Sequence, residues 1–485
     1  MRFRKPVNRF GELLGPCRTD SQRVSSEFGV SEAGNCMGKL FGTDGIRGEA
    51  NRHPMKWEIA FGVGQAVVHL LKKEHHRTRV IIGKDTRISG YMLESSLEAG
   101  ITSMGGHPLL VGVLPTPGIA YITQSMRADA GIVISASHNP YEDNGIKIFN
   151  SNGFKLSDQE EETIEDLIFS GELENLLPPA REMGQAFRME DVNGRYIVFL
   201  KNTFPSDLSM EEMKIVLDVA NGATYKVAPV AFAELGAQVD VIHNLPNGLN
   251  INDRCGSQHT DDLKKRVVET HAALGLAFDG DGDRVIAVDE KGVEVSGDQI
   301  LMMCALALKE QDRLKNNLLV STIMSNLGLK IACKRHGLEL YVSNVGDRYV
   351  LEDMIRLGAV IGGEQSGHAI FLDHHTTGDG IITAMQVMAC MVRTGKQLSE
   401  LAALTDVFPQ KLINVSVKRK PDLNSLPELA QAIRQVEQEL GEEGRVLVRY
   451  SGTENMCRVM VEGPSTAATE KYCVQLAEIV GHALG

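Results

Sequence analysis

The chain has 485 residues, with 50 basic and 63 acidic side chains and a formal net charge of −13. Its 43% apolar and 23% charged residues are ordinary globular usage, which excludes disorder throughout and a collagen-like chain. No run approaches the ~18 apolar residues of a membrane span, and the acidic balance argues against a dedicated nucleic-acid or anionic-membrane surface.

A few arginines in a cleft can still outweigh an acidic exterior, so anionic substrates remain open. At ~150 residues per domain the length corresponds to about three domains, with two or four also open. Eight scattered cysteines form no C-x-x-C and no pair at metal spacing, which is cytosolic usage. Residues 1–36 are net basic, lack an apolar h-region and show no sustained period. They are expected to be a disordered extension or a start-site artefact, with Met37 the first residue in the latter case. A chain beginning at Met37 is then expected to match the full-length protein in turnover.

Regular structure is predicted from there. A helical pattern over Trp57–Lys73 leads to the strand Arg79–Gly83, a helix over Ser89–Ser103, and the strands PLLVG, AGIVIS and GIKIF. A second cycle opens with KIVLDVANGAT at Lys214–Thr224, continues with QVDVIH and closes on LGLAFDGDGDRVIAV. The third has a helix after Gly297, the strand NLLVSTIMSN, another helix, LELYVSNVGD and AVIGGEQSGHAIF. The remainder reads KLINVSVK, a helix near Leu426–Glu439, RVLVRYSGTENMCRVMVE and a helix from Thr466. The pattern is that of three similar α/β domains with mixed sheets and a smaller C-terminal α+β domain. The expected boundaries are 37–190, 191–290, 291–406 and 407–485.

Four loops carry chemistry. SASHNP, Ser135–Pro140, follows a buried-looking strand and presents Ser137 on a turn, although the hexamer alone is equally a connecting Asx/Pro turn. Ser137 and His138 are adjacent and lack a G-x-S-x-G elbow, so this is no hydrolase triad. DGDGDR, Asp279–Arg284, brings Asp279, Asp281 and Asp283 together between two strands, three hard carboxylates suited to Mg2+. An EF-hand is rejected, because Arg284 stands where its glycine belongs and the flanks are strands. GGEQSGH exposes Glu364 and Ser366, which suit vicinal sugar hydroxyls, although in isolation a plain glycine-rich turn reads better. RYSGTEN supplies Arg449, Ser451, Gly452 and Thr453 as an anion nest, with Arg458 close by, although the loop alone also reads as a structural hairpin turn.

In this order and spacing the four loops resemble the α-D-phosphohexomutase superfamily, from about Met37 to the C-terminus. FGTDGIRG (Phe41–Gly48), ISASHNP, FDGDGDR, VGDRYV (Val345–Val350), GEQSGH and TTGDG (Thr376–Gly380) are similar to its bacterial branch acting on glucosamine phosphates. Two departures are visible: no proline follows the glutamate of SGTEN, and Asn344 precedes VGDRYV where lysine is frequent.

The resemblance implies four domains around a central active-site cleft and a cytoplasmic enzyme, monomer or homodimer. Such an enzyme interconverts glucosamine 6-phosphate and glucosamine 1-phosphate through a phosphoserine and glucosamine 1,6-bisphosphate, feeding UDP-N-acetylglucosamine and cell-wall precursors. It implies phosphorylation of Ser137, one Mg2+ per subunit held by Ser137, Asp279, Asp281 and Asp283, and a hexose 1,6-bisphosphate as activator. Lys147 and His368 become the proton-transfer candidates, with Lys147 expected to have a lowered pKa amid positive groups. Arg47 and Arg284 would stabilise phosphoryl charge. Glu364, Ser366, Asp347, Arg348, Arg449, Ser451, Gly452, Thr453 and Arg458 would contact the sugar phosphate. Phosphoglucomutase and phosphomannomutase activities share this machinery and stay open, as does a catalytically inactive sugar-phosphate-binding protein. Small sugar phosphates are the expected partners, without nucleic acid or membrane.

Overall fold

The runs Ala130–Ile134, Leu274–Phe278 and Leu318–Thr322 have every side chain buried, as expected of central parallel strands covered on both faces. In the computed structural model, which describes residues 40–42, 44–450 and 455–485, each belongs to a different sheet. The expectation for residues 1–36, and those for Ser451, Gly452 and Thr453, lie outside the described residues.

Three sheets share one plan. In the first, His107–Val113, Arg79–Lys84 and Ala130–Ile134 run parallel, and Asp143–Asn150 returns antiparallel beside the last of them. The second repeats this with Gln238–Ile242, Lys214–Asp218, Leu274–Phe278 and the return strand Val285–Asp289. The third does so with Glu339–Ser343, Leu318–Thr322, Ile361–Gly363 and Ala369–Phe371. In each sheet the turn into the antiparallel return strand carries one of the singled-out loops: Ser135–Pro140, Asp279–Arg284 and Glu364–His368. These turns leave the carboxyl ends of parallel strands, where α/β sheets present ligands.

Short additional strands extend the first two sheets. Gly45–Glu49, Phe41–Gly42 and Phe187–Arg188 complete seven strands in the first. Glu294–Val295 completes five in the second, so its last hairpin runs past residue 290. The fourth sheet is antiparallel and three-stranded, ordered Gln410–Ser416, Met456–Glu462, Arg445–Tyr450.

Helices cover both faces of the first sheet. Val80, Ile82 and Ile132 pack toward the helices Trp57–Leu70 and Gly90–Ser103. Ile81 and Val133 face the helix Thr116–Ser125, within a core that continues to the helix Gly380–Thr394. The last sheet has its own core, including Leu429, Val459, Leu476 and Val480. Polar contacts join it to the third sheet's loops: Arg445 donates to Ile323 O (3.0 Å) and Ser325 O (2.8 Å), and Leu327 N donates to Glu462 Oε2 (3.1 Å). No helix among the described residues is long and apolar enough to cross a membrane.

Candidate active site

Ser137 is fully buried and has φ +52°, a left-handed backbone that costs a non-glycine residue about 1 kcal/mol or more. The surroundings hold it there. Buried Arg87, fixed by Asp85, donates to Ser137 O (3.1 Å) and Asn139 O (2.5 Å). Asn252 Nδ2 donates to the same two carbonyls at 2.9 Å each. Ser137 N donates to Ser135 Oγ (3.0 Å), which in turn donates to Asp85 Oδ2 (2.5 Å).

The nucleophile candidate meets the acidic loop directly: Ser137 Oγ donates to Asp279 Oδ2 at 2.5 Å. Gly280 permits that approach, because a Cβ there would lie 2.5 Å from Ser137 O. Carboxylate oxygens of Asp279, Asp281 and Asp283 lie within 4.8 Å of one another, all three residues buried. Asp281 Oδ2 accepts from Thr116 Oγ1 (2.7 Å) and Lys147 Nζ (3.0 Å). The second oxygens, Asp281 Oδ1 and Asp283 Oδ1, are buried with no hydrogen-bond partner. Buried carboxylate oxygens left without a donor, in a cluster of three aspartates, are what a hard divalent cation satisfies, so the residues present fit Mg2+.

Lys147, on the first sheet's return strand, is 1% exposed and reaches Asp281 (3.0 Å), Asp44 (3.2 Å) and Asp283 (3.9 Å). Burial pulls its pKa down, but Asp281, Asp44 and Asp283 together outweigh burial and hold it well above the ordinary lysine value. The expected lowering is therefore corrected: the groups closest to this ammonium are carboxylates. His138 behaves oppositely. Burial, then Arg284 and Arg47, pull it down to about 4, so it is neutral and can accept from Arg284 Nη1 at 3.0 Å. Arg284 also lies 3.8 Å from Asp283, and Arg47 pairs with Asp44.

The third loop closes on this cluster. His368 Nδ1 is 3.5 Å from Asp283 Oδ2, and its Nε2 is 3.9 Å from Asp347 Oδ2. Burial lowers the imidazole pKa, yet contact with Asp283, then Asp347 and Glu364, raises it overall. Gly378 makes room for the ring, since a Cβ there would sit 2.4 Å from His368 Nε2. The neighbouring Asp379 caps the helix Gly380–Thr394 and accepts from Tyr196 OH at 2.6 Å. The TTGDG run thus supports His368 from behind. Glu364 accepts from Gly346 N (3.1 Å) and Ser366 Oγ (3.4 Å).

Two residues stand differently from the rest. Asp347 is held by Lys155 Nζ at 2.5 Å, and Lys155 also pairs with Asp44. Arg348 is taken up by Leu156 O (2.8 Å), Glu161 (2.8 Å) and Asp158, so it braces the third domain against the first. Arg449 and Arg458 face each other across the last hairpin. Arg449 Nε is buried without a hydrogen-bond partner, and burial, then Arg458, lower its guanidinium pKa. Like charges opposed across a hairpin disfavour each other and favour an anion between them.

Sequence reasoning missed Asp44, Asp85, Arg87, Thr116, Lys155 and Asn252. Asp85 and Arg87 had a legible signal, charges immediately after an apolar strand in GKDTR. The others act through contacts distant in sequence.

Comparison with known proteins adds to this geometry. Residues 38–175, 194–292 and 296–408 match alpha/beta/alpha domains I, II and III of the family described as phosphoglucomutase/phosphomannomutase, and 412–479 match its C-terminal domain. The chain is 71% identical over 449 residues to the phosphoglucosamine mutase of Syntrophobacter fumaroxidans, covering 93% of this chain and 100% of that one. It is 55% identical over 446 residues to the enzyme of the same name from Myxococcus xanthus, covering 92% and 97%. A phosphoglucomutase/phosphomannomutase family protein from Burkholderia thailandensis shares the fold with TM-score 0.76 at 22% identity, covering 92% and 97%. So does Aspergillus fumigatus N-acetylphosphoglucosamine mutase, solved with GlcNAc-6P and magnesium, with TM-score 0.63 at 16% identity, covering 92% and 96%.

Proposed function

The chain belongs to the phosphoglucosamine mutases of the phosphohexomutase superfamily, and on that premise we propose that Ser137 carries the phosphoryl group between positions 6 and 1 of the sugar. The enzyme is an isomerase interconverting glucosamine 6-phosphate and glucosamine 1-phosphate. The carrying observation is the 2.5 Å contact of Ser137 Oγ with Asp279 inside a buried cluster drawn from three sheets.

Phosphoserine 137 donates its phosphoryl group to a sugar hydroxyl, giving the 1,6-bisphosphate; after the intermediate turns over, the other phosphate returns to Ser137. Ser137, Asp279, Asp281 and Asp283 would hold one Mg2+, which when bound supplies charge neutralisation and polarises the phosphoryl group. Phosphorylation adds about −2 at Ser137, and Arg284, Arg47 and Lys147 compensate from the protein side. A protonated Lys147 suits a proton donor and phosphoryl partner. His368 is placed to exchange protons with the sugar, and Glu364 and Ser366 to hold its hydroxyls in either orientation. A hexose 1,6-bisphosphate would charge Ser137 initially. The cysteines among the described residues are unpaired and buried, which supports a reducing, cytoplasmic setting.

Assay of the purified protein with glucosamine, glucose and mannose phosphates under identical conditions tests the assignment. The amino sugar should have the highest kcat/KM. Preference for glucose or mannose phosphate would transfer the chain to those activities, and turnover of none would favour an inactive binder.

Two substitutions probe separate parts. Lys147→Met should lower kcat by about 10²–10⁴-fold with a smaller change in KM, the range for a lost proton-transfer group. Unchanged kcat would remove Lys147 from the reaction. Arg449→Ala should raise KM roughly 10- to 100-fold, as for a lost charged hydrogen bond of about 1.5–3 kcal/mol, and leak bisphosphate into solution. Its position on a separate small domain with polar attachments suits a phosphate grip that opens to admit the sugar and closes over the intermediate. An unchanged KM without leakage would place the distal phosphate elsewhere.

A further inference from the structure

The carboxyl end of the second sheet holds a side-chain cluster that phosphoryl transfer leaves unused. Asp218 ends the strand Lys214–Asp218, His243 directly follows the strand Gln238–Ile242, and Cys255 lies on the loop before the helix Asp261–Thr270. A carboxylate oxygen, a ring nitrogen and the thiol sulfur lie within 4.8 Å of one another. Asp218 and Cys255 are buried, and the His243 side chain is 25% exposed.

His243 is arranged in an unusual way. It adopts φ +50°, a left-handed backbone, and this turns its ring into the cluster's reach. Nδ1 sits 3.1 Å from Asp218 Oδ2 in poor alignment for a ring hydrogen bond, yet close enough that Asp218 raises the imidazole pKa. The other nitrogen, Nε2, lies 3.5 Å from Asp262 Oδ2. One ring nitrogen toward a ligand cluster and the other toward an outer carboxylate is the arrangement of a metal-binding histidine. Asp218 is itself pre-oriented, accepting from Ala220 N and Gly256 N at 2.9 Å each.

We propose that Asp218, His243 and Cys255 form a zinc site, separate from the aspartate trio. One thiolate, one imidazole and one carboxylate make a mixed soft and hard donor set that suits Zn2+ and is poor for Mg2+. Tetrahedral Zn2+ with bonds of about 2.0–2.3 Å sets its ligands roughly 3.3–3.8 Å apart, so the cluster needs to contract by only about 1 Å. A water can take the fourth position from the exposed side of His243. Binding releases to solvent the thiol proton of Cys255 and the Nδ1 proton that His243 turns toward Asp218, and forms the zinc–sulfur and zinc–nitrogen bonds without any redox change.

The site would act on the reaction through one neighbour. Asn252, three residues before Cys255, holds the carbonyls of Ser137 and Asn139. Zinc on Cys255 would pin the loop that clamps the phosphoserine turn.

The full chain, stripped by chelator and given Zn2+ in excess Mg2+, should retain about one zinc per molecule after gel filtration. Co2+ in its place should show a thiolate-to-cobalt charge-transfer band. Cys255→Ser and His243→Gly should each abolish the band and weaken zinc retention at least about tenfold. Glycine accepts φ +50° without strain, so the second variant keeps its fold, as an unchanged circular dichroism spectrum would verify. A wild-type chain that keeps no zinc, bound cobalt without the band, or variants that retain zinc as well as the wild type would overturn the proposal.

Discussion

Ser137→Ala is expected to turn over at least about 10⁴-fold more slowly than the wild type, the scale on which losing a covalent nucleophile is felt. The same substitution should leave the fold intact. The left-handed turn at Ser137 is held through its carbonyl by Arg87 and Asn252, and alanine bears the same backbone strain as serine. Asp279 Oδ2 loses its hydroxyl donor, but this oxygen also faces the proposed cation. Intact-mass measurement after incubation with a hexose 1,6-bisphosphate should show one added phosphate on the wild type and none on the variant. An alanine variant with normal turnover would dismiss Ser137 as carrier.

What the sequence makes legible follows from how local each feature is. The continuous apolar runs AGIVI, LGLAF and LLVST announce fully buried strands, and all three are central in their sheets. The Ser137 and Asp279 loops abut the first two of these runs, so their place at a sheet's carboxyl end is readable, whereas Glu364–His368 follows the short strand Ile361–Gly363. The strand expected over Asn317–Asn326 is shorter in the structure. It ends at Thr322, because Asn326 turns its side chain to cap the helix Leu327–His336. The helix expected over Trp57–Lys73 likewise stops at Leu70.

Other helices are hidden from sequence reading for physical reasons. Asp158–Ser170 carries six acidic residues with few apolar ones to give a period; its Ser157–Glu160 capping box is the available signal. Thr116–Ser125 is apolar on most sides, and Pro117 in its first turn marks its start.

The site's electrostatics are less legible than its membership. Positive neighbours are expected around Lys147, but Asp44 lies 103 positions away in sequence and reaches it only because the strands Gly45–Glu49 and Asp143–Asn150 pair. Arg348 follows Asp347 immediately, yet a helical start gives the two side chains different partners: Asp347 meets Lys155 and lies 3.9 Å from His368, whereas Arg348 meets Glu161 and Asp158. Adjacent residues in a motif need not share a task.

Removing divalent cations is expected to lower turnover by more than about 10³-fold, several kcal/mol of transition-state stabilisation, and Asp281→Ala should stay inactive when Mg2+ is restored. The metal-free chain has a further signature in its pH dependence. Burial first, then Asp283 and Asp281, push the Asp279 carboxyl well above the usual carboxylate range. Lys147 and His368 hold Asp283 well below it despite burial. Asp279 is therefore the member of the trio whose protonated form burial and the two neighbouring carboxylates favour. Its folded pKa exceeds the unfolded value of about 3.9, so its contribution to stability is full below that value and is lost as pH rises through the folded pKa. A divalent cation bound by the trio would compete with this proton, so its apparent affinity is expected to climb with pH by up to about tenfold per unit, with one proton released. Melting curves with and without Mg2+ should separate progressively from acid toward neutral pH, the metal-free Tm falling behind. Curves that keep a constant gap over that range would mean that no proton is displaced at Asp279, and activity surviving chelation would remove the metal from the mechanism.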